Sequence, residues 1–125
     1  MAAGKRPPKY HAHRVMLDGI MFDSKKEAAR YSELRLLERS GKIRNLEVKP
    51  KFEFMMPNGE LLRYPPTPKI KTGRRVTHRP DFRYTVLDEG APHVVVEDTK
   101  GFDTDMGRLK RGLVQAFHGI HIRIT

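Results

Sequence analysis

Arg79-Pro80-Asp81-Phe82-Arg83-Tyr84, followed by Val94-Val95-Val96-Glu97-Asp98-Thr99-Lys100, reads as two β-strands at the centre of a sheet. The strands are predicted over residues 81–87 and 93–99, joined by Asp88-Glu89-Gly90-Ala91-Pro92. Alternate residues of a strand point to one face. Asp98 and Lys100 therefore stand in line with Val94 and Val96. Two charges on a face otherwise made of valine need a counterpart, and divalent-metal chemistry on a phosphodiester supplies one. Glu97 falls on the opposite face, where a basic partner is expected; a one-residue slip would exchange it with Asp98.

Working outward, residues 1–13 are basic and carry prolines, which predicts a flexible basic arm. Residues 14–125 are expected to form a single domain. Asp18-Gly19 between Val15-Met16-Leu17 and Ile20-Met21-Phe22 is a hairpin signal. Ser24 with Glu27 three residues on matches a capping box, and Ala28, Tyr31, Leu34 and Leu37 form an apolar stripe on a helix that Ser40-Gly41 stops. Residues 48–56 alternate as a strand with Pro50, Phe52 and Phe54 on one face, and Asn58-Gly59 turns into 60–64. Pro65-Pro66-Thr67-Pro68 breaks regular structure. A second helix is expected from Asp103–Asp105 to Gly119, with Leu109, Leu113, Ala116 and Phe117 inward. Ile120, Ile122 and Ile124 then alternate as a last strand. The pattern predicts an α/β or α+β sandwich with helices covering a small sheet.

Composition narrows the partners. Among 125 residues, 25 Lys and Arg against 15 Asp and Glu give a net charge of +10, which points to a polyanion, most naturally nucleic acid. There is no cysteine, so disulfides and thiolate metal sites are excluded. No apolar run is long enough to span a bilayer. Met1 to Pro8 lacks the apolar core of a signal peptide, so no membrane association and a cytoplasmic location are expected.

The chain holds three acid–x–lysine triplets, at Asp23, Glu47 and Asp98, but only the last lies on a valine strand downstream of the sole Pro-Asp pair. Phosphodiester hydrolysis needs a cation that binds phosphate oxygen, activates water and neutralises the leaving oxygen. Magnesium takes a few carboxylates and keeps several waters. Asp81 and Asp98 on adjacent strands are candidates to share such an ion, with the Thr99 carbonyl as a further ligand. Lys100 faces the same pocket, where it can orient water or steady charge. Glu27 competes between a cap and a ligand; its position among Ala28, Tyr31 and Leu34 makes an unpaired carboxylate costly there. His11, His13, His118 and His121 read as solvated histidines.

Pro80-Asp81, Asp98-Thr99-Lys100 and an upstream helical Glu27 resemble the signature of the PD-(D/E)XK nuclease superfamily. Lys9-Tyr10-His11, Phe22 to Ala28, Asp81 to Tyr84 and Val96 to Gly101 look like small phage-encoded endonucleases of the Holliday-junction-resolvase-like kind. The resemblance covers nearly the whole chain, with 65–73 as an insertion. It implies a restriction-endonuclease-like α/β core: a mixed central β-sheet flanked by α-helices. It also implies Mg²⁺ or Mn²⁺ as cofactor, Glu27, Asp81 and Asp98 as ligands, Lys100 as the catalytic lysine, and the host-cell cytoplasm as location if the chain is phage-encoded. DNA contacts are expected from Lys5, Arg6, Lys9 and Arg14; from Lys69, Lys71, Arg74, Arg75 and Arg79; and from Arg108, Lys110 and Arg111. Symmetric incision of a branched DNA requires two sites, hence a homodimer, with the Asp18-Gly19 and 52–64 hairpins as candidate interfaces. A non-catalytic basic nucleic-acid-binding module stands as the alternative, and duplex ends, nicks or flaps as alternative substrates.

Overall fold

The computed structural model describes residues 14–100 and 102–125. Lys5, Arg6, Lys9 and the arm they belong to lie outside the described residues. In chain order the elements are β1 (Val15–Leu17), β2 (Ile20–Phe22), α1 (Lys25–Arg39), β3 (Ile43–Val48), β4 (Phe52–Glu53), β5 (Thr77–His78), β6 (Phe82–Val86), β7 (His93–Asp98), α2 (Asp105–His118) and β8 (Arg123–Ile124).

Local chemistry sets the first elements. Asp18 and Gly19 take φ of 50° and 76°, the left-handed pair that suits the twist of a two-residue hairpin, and β1 pairs antiparallel with β2 around it. Ser24 adopts an extended backbone, and its hydroxyl accepts the Glu27 N–H at 3.1 Å, starting α1. Ala28, Tyr31 and Leu34 are buried, as the helical stripe predicts. Gly41, with φ of 80°, releases the chain from the helix.

The central sheet runs in the order β3-β6-β7-β8. β3, β6 and β7 are antiparallel neighbours, whereas β8 lies parallel to β7, which α2 makes possible by carrying the chain back across. Each face of the sheet has its own core. On one side Phe82, Tyr84, Val86 and Val95 meet Ala28, Tyr31 and Leu34 of α1 together with Phe22 of the hairpin. On the other, Val96 meets Phe52, Phe54, Val76, Val114 of α2 and Ile122. The result is a mixed α/β fold with a central sheet between helices.

Three expectations are corrected. β3 occupies Ile43–Val48, where none was predicted, and the strand expected over 48–56 shrinks to Phe52–Glu53. The register of β3 against β6 shifts between Arg44 and Glu47, where Asn45 takes a φ of 57°, so the bulge hides the period of two. α2 turns a different face inward: Val114 is fully buried, while Leu109 and Phe117 are 58% and 39% exposed. Arg111, though basic, is held close against the fold. Arg111 donates to Asp103 at 2.7 Å, and His118 Nε2 donates to the Glu53 carbonyl at 2.6 Å. The last strand keeps only Arg123 and Ile124, with Ile122 buried beside it.

Leu34 and Leu109 therefore separate sharply. Leu34→Ala should cost about 2–5 kcal/mol in urea unfolding, and Leu109→Ala about 0.5 kcal/mol or less. Equal losses would mean that α2 packs on the face the sequence pattern suggested.

Candidate functional site

β6 begins where β7 ends, and that junction gathers the singled-out acids. The Asp81 backbone N–H donates to the Glu97 carbonyl at 3.1 Å and to Asp98 Oδ1 at 3.0 Å. In return the Thr99 N–H donates to Asp81 Oδ2 at 2.6 Å. Each aspartate thus accepts a backbone N–H from beside the other, and the two carboxylates are fixed as a pair. Lys100 Nζ stands 3.9 Å from Asp98 Oδ2. The alternation read from the sequence holds: Asp98 and Lys100 share a face.

Glu27 reaches the same place from the first turn of α1. Burial raises its carboxyl, and so does Asp23; the Asp23 backbone, Lys49 and Lys100 pull it the other way. Asp81 is pushed up to about 7, first by burial and then by the charges of Glu27 and Asp98, against the pull of the Thr99 N–H and Lys100. Burial together with two neighbouring acids makes Asp81 costly to ionise, a strained arrangement for a merely structural site. Lys26 Nζ donates to the Lys100 carbonyl at 2.9 Å, tying the first turn of α1 to the strand end.

Oxygen donors of this kind suit a hard dication such as Mg²⁺ or Mn²⁺, and a dication would relieve the repulsion around Asp81. Asp81 Oδ1 has no partner among the described residues, whereas both oxygens of Asp98 are engaged. Among the described residues no group of three or more His, Asp or Glu is already arranged to hold an ion. Binding would therefore require these side chains to rearrange.

One neighbour was not singled out from sequence. His78, on β5, sets Nε2 3.2 Å from Asp98 Oδ2, and both side chains are buried. A lone histidine twenty residues upstream carries no pattern; only the β4–β5 pairing, with Phe52 opposite His78, brings it there. Glu97 finds the basic partners expected of it. It is fully buried, accepts Arg30 Nε at 2.6 Å, the Tyr84 hydroxyl at 2.6 Å and Arg123 at 3.0 Å. Burial raises its carboxyl, but these donors outweigh that and hold it below the usual range, while Tyr84 is pushed up to about 12.

The basic residues divide. Arg14, Lys69, Lys71, Arg74, Arg75 and Arg79 are exposed. Of these, Arg75 pairs with Glu53 at 2.9 Å and Arg74 lies over the Tyr64 ring at 4.9 Å. Arg108 is exposed but pairs with Asp103 and Asp105, and Lys110 is half-buried. Arg111 has a side chain only 13% exposed, held by Asp103. Their availability to a phosphate therefore falls from the first group to the last.

Residues 7–123 match a family described as a protein of unknown function, DUF1064. Neither the curated proteins nor the solved structures contain a match.

The raised carboxyl of Asp81 has a consequence for stability. Below about pH 4 it is protonated in folded and unfolded chains alike. Between about 4 and about 7 the unfolded chain releases the proton and the folded one keeps it, so native stability falls as pH rises, and the loss is complete above about 7. Asp81→Asn should thus raise the unfolding free energy at pH 8 by on the order of 1–2 kcal/mol after solvent screening, seen as a higher thermal midpoint, and leave it nearly unchanged at pH 4. An equal shift at both pH values would remove the electrostatic explanation.

Proposed function

The chain belongs to the DUF1064 family, whose description assigns no activity, and from its side chains we propose a metal-dependent DNA endonuclease of restriction-endonuclease-like fold. The observation that carries this reading is the convergence of Asp81, Asp98, Glu27 and Lys100 at one end of the sheet, with the Asp81 carboxyl pushed up to about 7 by burial first and by its acidic neighbours second. Proteins retain such costly clusters where chemistry needs them.

In this reading Asp81, Asp98, the Thr99 carbonyl and Glu27 hold a Mg²⁺ or Mn²⁺ ion. Such an ion, when bound, supplies Lewis acidity to a phosphodiester and to a water. Lys100 contributes a positive charge on the same side, suited to orient the attacking water or steady the charge on phosphate oxygen. His78 holds the Asp98 carboxylate in place. Exposed Lys69, Lys71, Arg74 and Arg79 lead along the chain towards Asp81 and position the DNA backbone without reading bases. Branched DNA is the proposed substrate, cut by a homodimer, since symmetric incision takes two sites.

A non-catalytic nucleic-acid-binding module is the second reading, and one observation favours it: among the described residues the acids are not already arranged around an ion. In that case Asp98 serves only as the partner of His78 and Lys100.

The two separate cleanly. With Mg²⁺, the purified protein should cut junction DNA in preference to flap, duplex and single strand. Asp81→Asn and Asp98→Asn should each lower cleavage by on the order of a hundredfold or more while DNA binding survives. Mg²⁺ or Mn²⁺ should also raise the melting temperature of the wild type and not of the variants. Full cleavage by both variants would overturn the site, and DNA binding with neither cleavage nor a metal-dependent shift would establish the binding module.

A further inference from the structure

The segment Pro65-Pro66-Thr67-Pro68-Lys69-Ile70-Lys71-Thr72-Gly73 is a loop at the end of an antiparallel arm. One exposed apolar residue is ordinary on a protein surface; Ile70 differs in how it is framed. It is 52% exposed, with exposed Lys69 and Lys71 on either side. The Thr67 N–H donates to the Ile70 carbonyl at 2.9 Å, and the Ile70 N–H donates back to Thr67 Oγ1 at 3.0 Å. Prolines at 65, 66 and 68 restrict the approach to this turn.

The base of the loop is closed as firmly. The Tyr64 N–H donates to the Arg74 carbonyl at 2.9 Å, and the Arg74 guanidinium covers the Tyr64 ring. Gly73 takes a φ of 60°, and a Cβ there would meet the Tyr64 carbonyl oxygen at 2.2 Å, so only glycine fits. Ile70, Tyr64, Pro66 and Arg74 line a cleft of about 490 Å³ against the loop. The structure thus presents an apolar side chain outward on a stiff, doubly cationic tip, without using it to fill the core.

We propose that this loop is a wedge for DNA, in which Ile70 enters between bases at a weakened or branched step while Lys69 and Lys71 hold the flanking phosphates. The charge of the chain and the two lysines select a polyanion over an apolar protein surface. Apolar side chains between basic ones unstack base steps at modest cost, least where pairing is already broken. The arm also connects the wedge to the acids. The residues from His78 back to Arg74 span roughly 13 Å of extended chain, about four base steps. In the proposal one bound DNA touches both the loop and the Asp81–Asp98 pair. The inference rests on the nuclease reading for its substrate and extends it by naming what selects a branch.

The test uses the full chain, in EDTA, on a four-way junction carrying 2-aminopurine at the branch point. Wild type should bind and raise the fluorescence severalfold through loss of stacking. Ile70→Ser should abolish most of that rise while the Kd changes less than about threefold, with an unchanged melting temperature certifying the fold. Lys69→Ala with Lys71→Ala should instead weaken binding to every DNA form and flatten its salt dependence. A full fluorescence rise with Ile70→Ser, no rise with wild type bound, or no binding by wild type would each overturn the wedge. Because the assay contains no free metal, an Ile70-dependent rise without cleavage in Mg²⁺ would sink the nuclease reading alone. Cleavage in Mg²⁺ without the rise would sink the wedge alone.

Discussion

The buried carboxylate of Glu97 is the constraint on which the rest of the architecture depends. It sits on β7 and is reached by Arg30 from α1, Tyr84 from β6 and Arg123 at β8. A carboxylate removed from water is tolerable only when its lone pairs are satisfied, and here charged and neutral donors do so from three directions. Replacing such a network by apolar groups is often neutral for stability, so its stronger effect is on specificity. It admits one register of β7, one rotation of α1 and one placement of β8. Because Glu97 is locked towards α1, Asp98 must face the other way, and the pairing with Asp81 and His78 follows from it.

The candidate site shows the opposite economy. Around Glu97 positive charge outnumbers negative; around Asp81 the acids crowd one another, and the nearby lysines compensate only in part. The sheet thus carries one satisfied carboxylate, Glu97 on β7, and one frustrated carboxylate, Asp81 at the start of β6. Structural demands explain the first. The second remains costly in the folded chain, chiefly through burial and then through the charges of Glu27 and Asp98.

Much of this was readable from residues alone. β6, β7, the Asp18-Gly19 hairpin and α1 were legible because period, turn chemistry and cap agreed with one another. The Asp81–Asp98–Lys100 set was legible because charges on a valine strand are anomalous. β3 was not, since its bulge after Arg44 breaks the alternation that marks a strand. The inward face of α2 was misread because Arg111 looks solvent-facing until Asp103 is in place. His78 left no local trace at all, because its role exists only through contacts distant in sequence.

The four residues of the Glu97 network sit at positions 30, 84, 97 and 123, so closing it joins the opening helix to the final strand. Long chain separations carry a loop-closure cost before any contact repays it. Arg123 thus couples the edge strand of the sheet to the first helix through Glu97, the neighbour of Asp98 on β7.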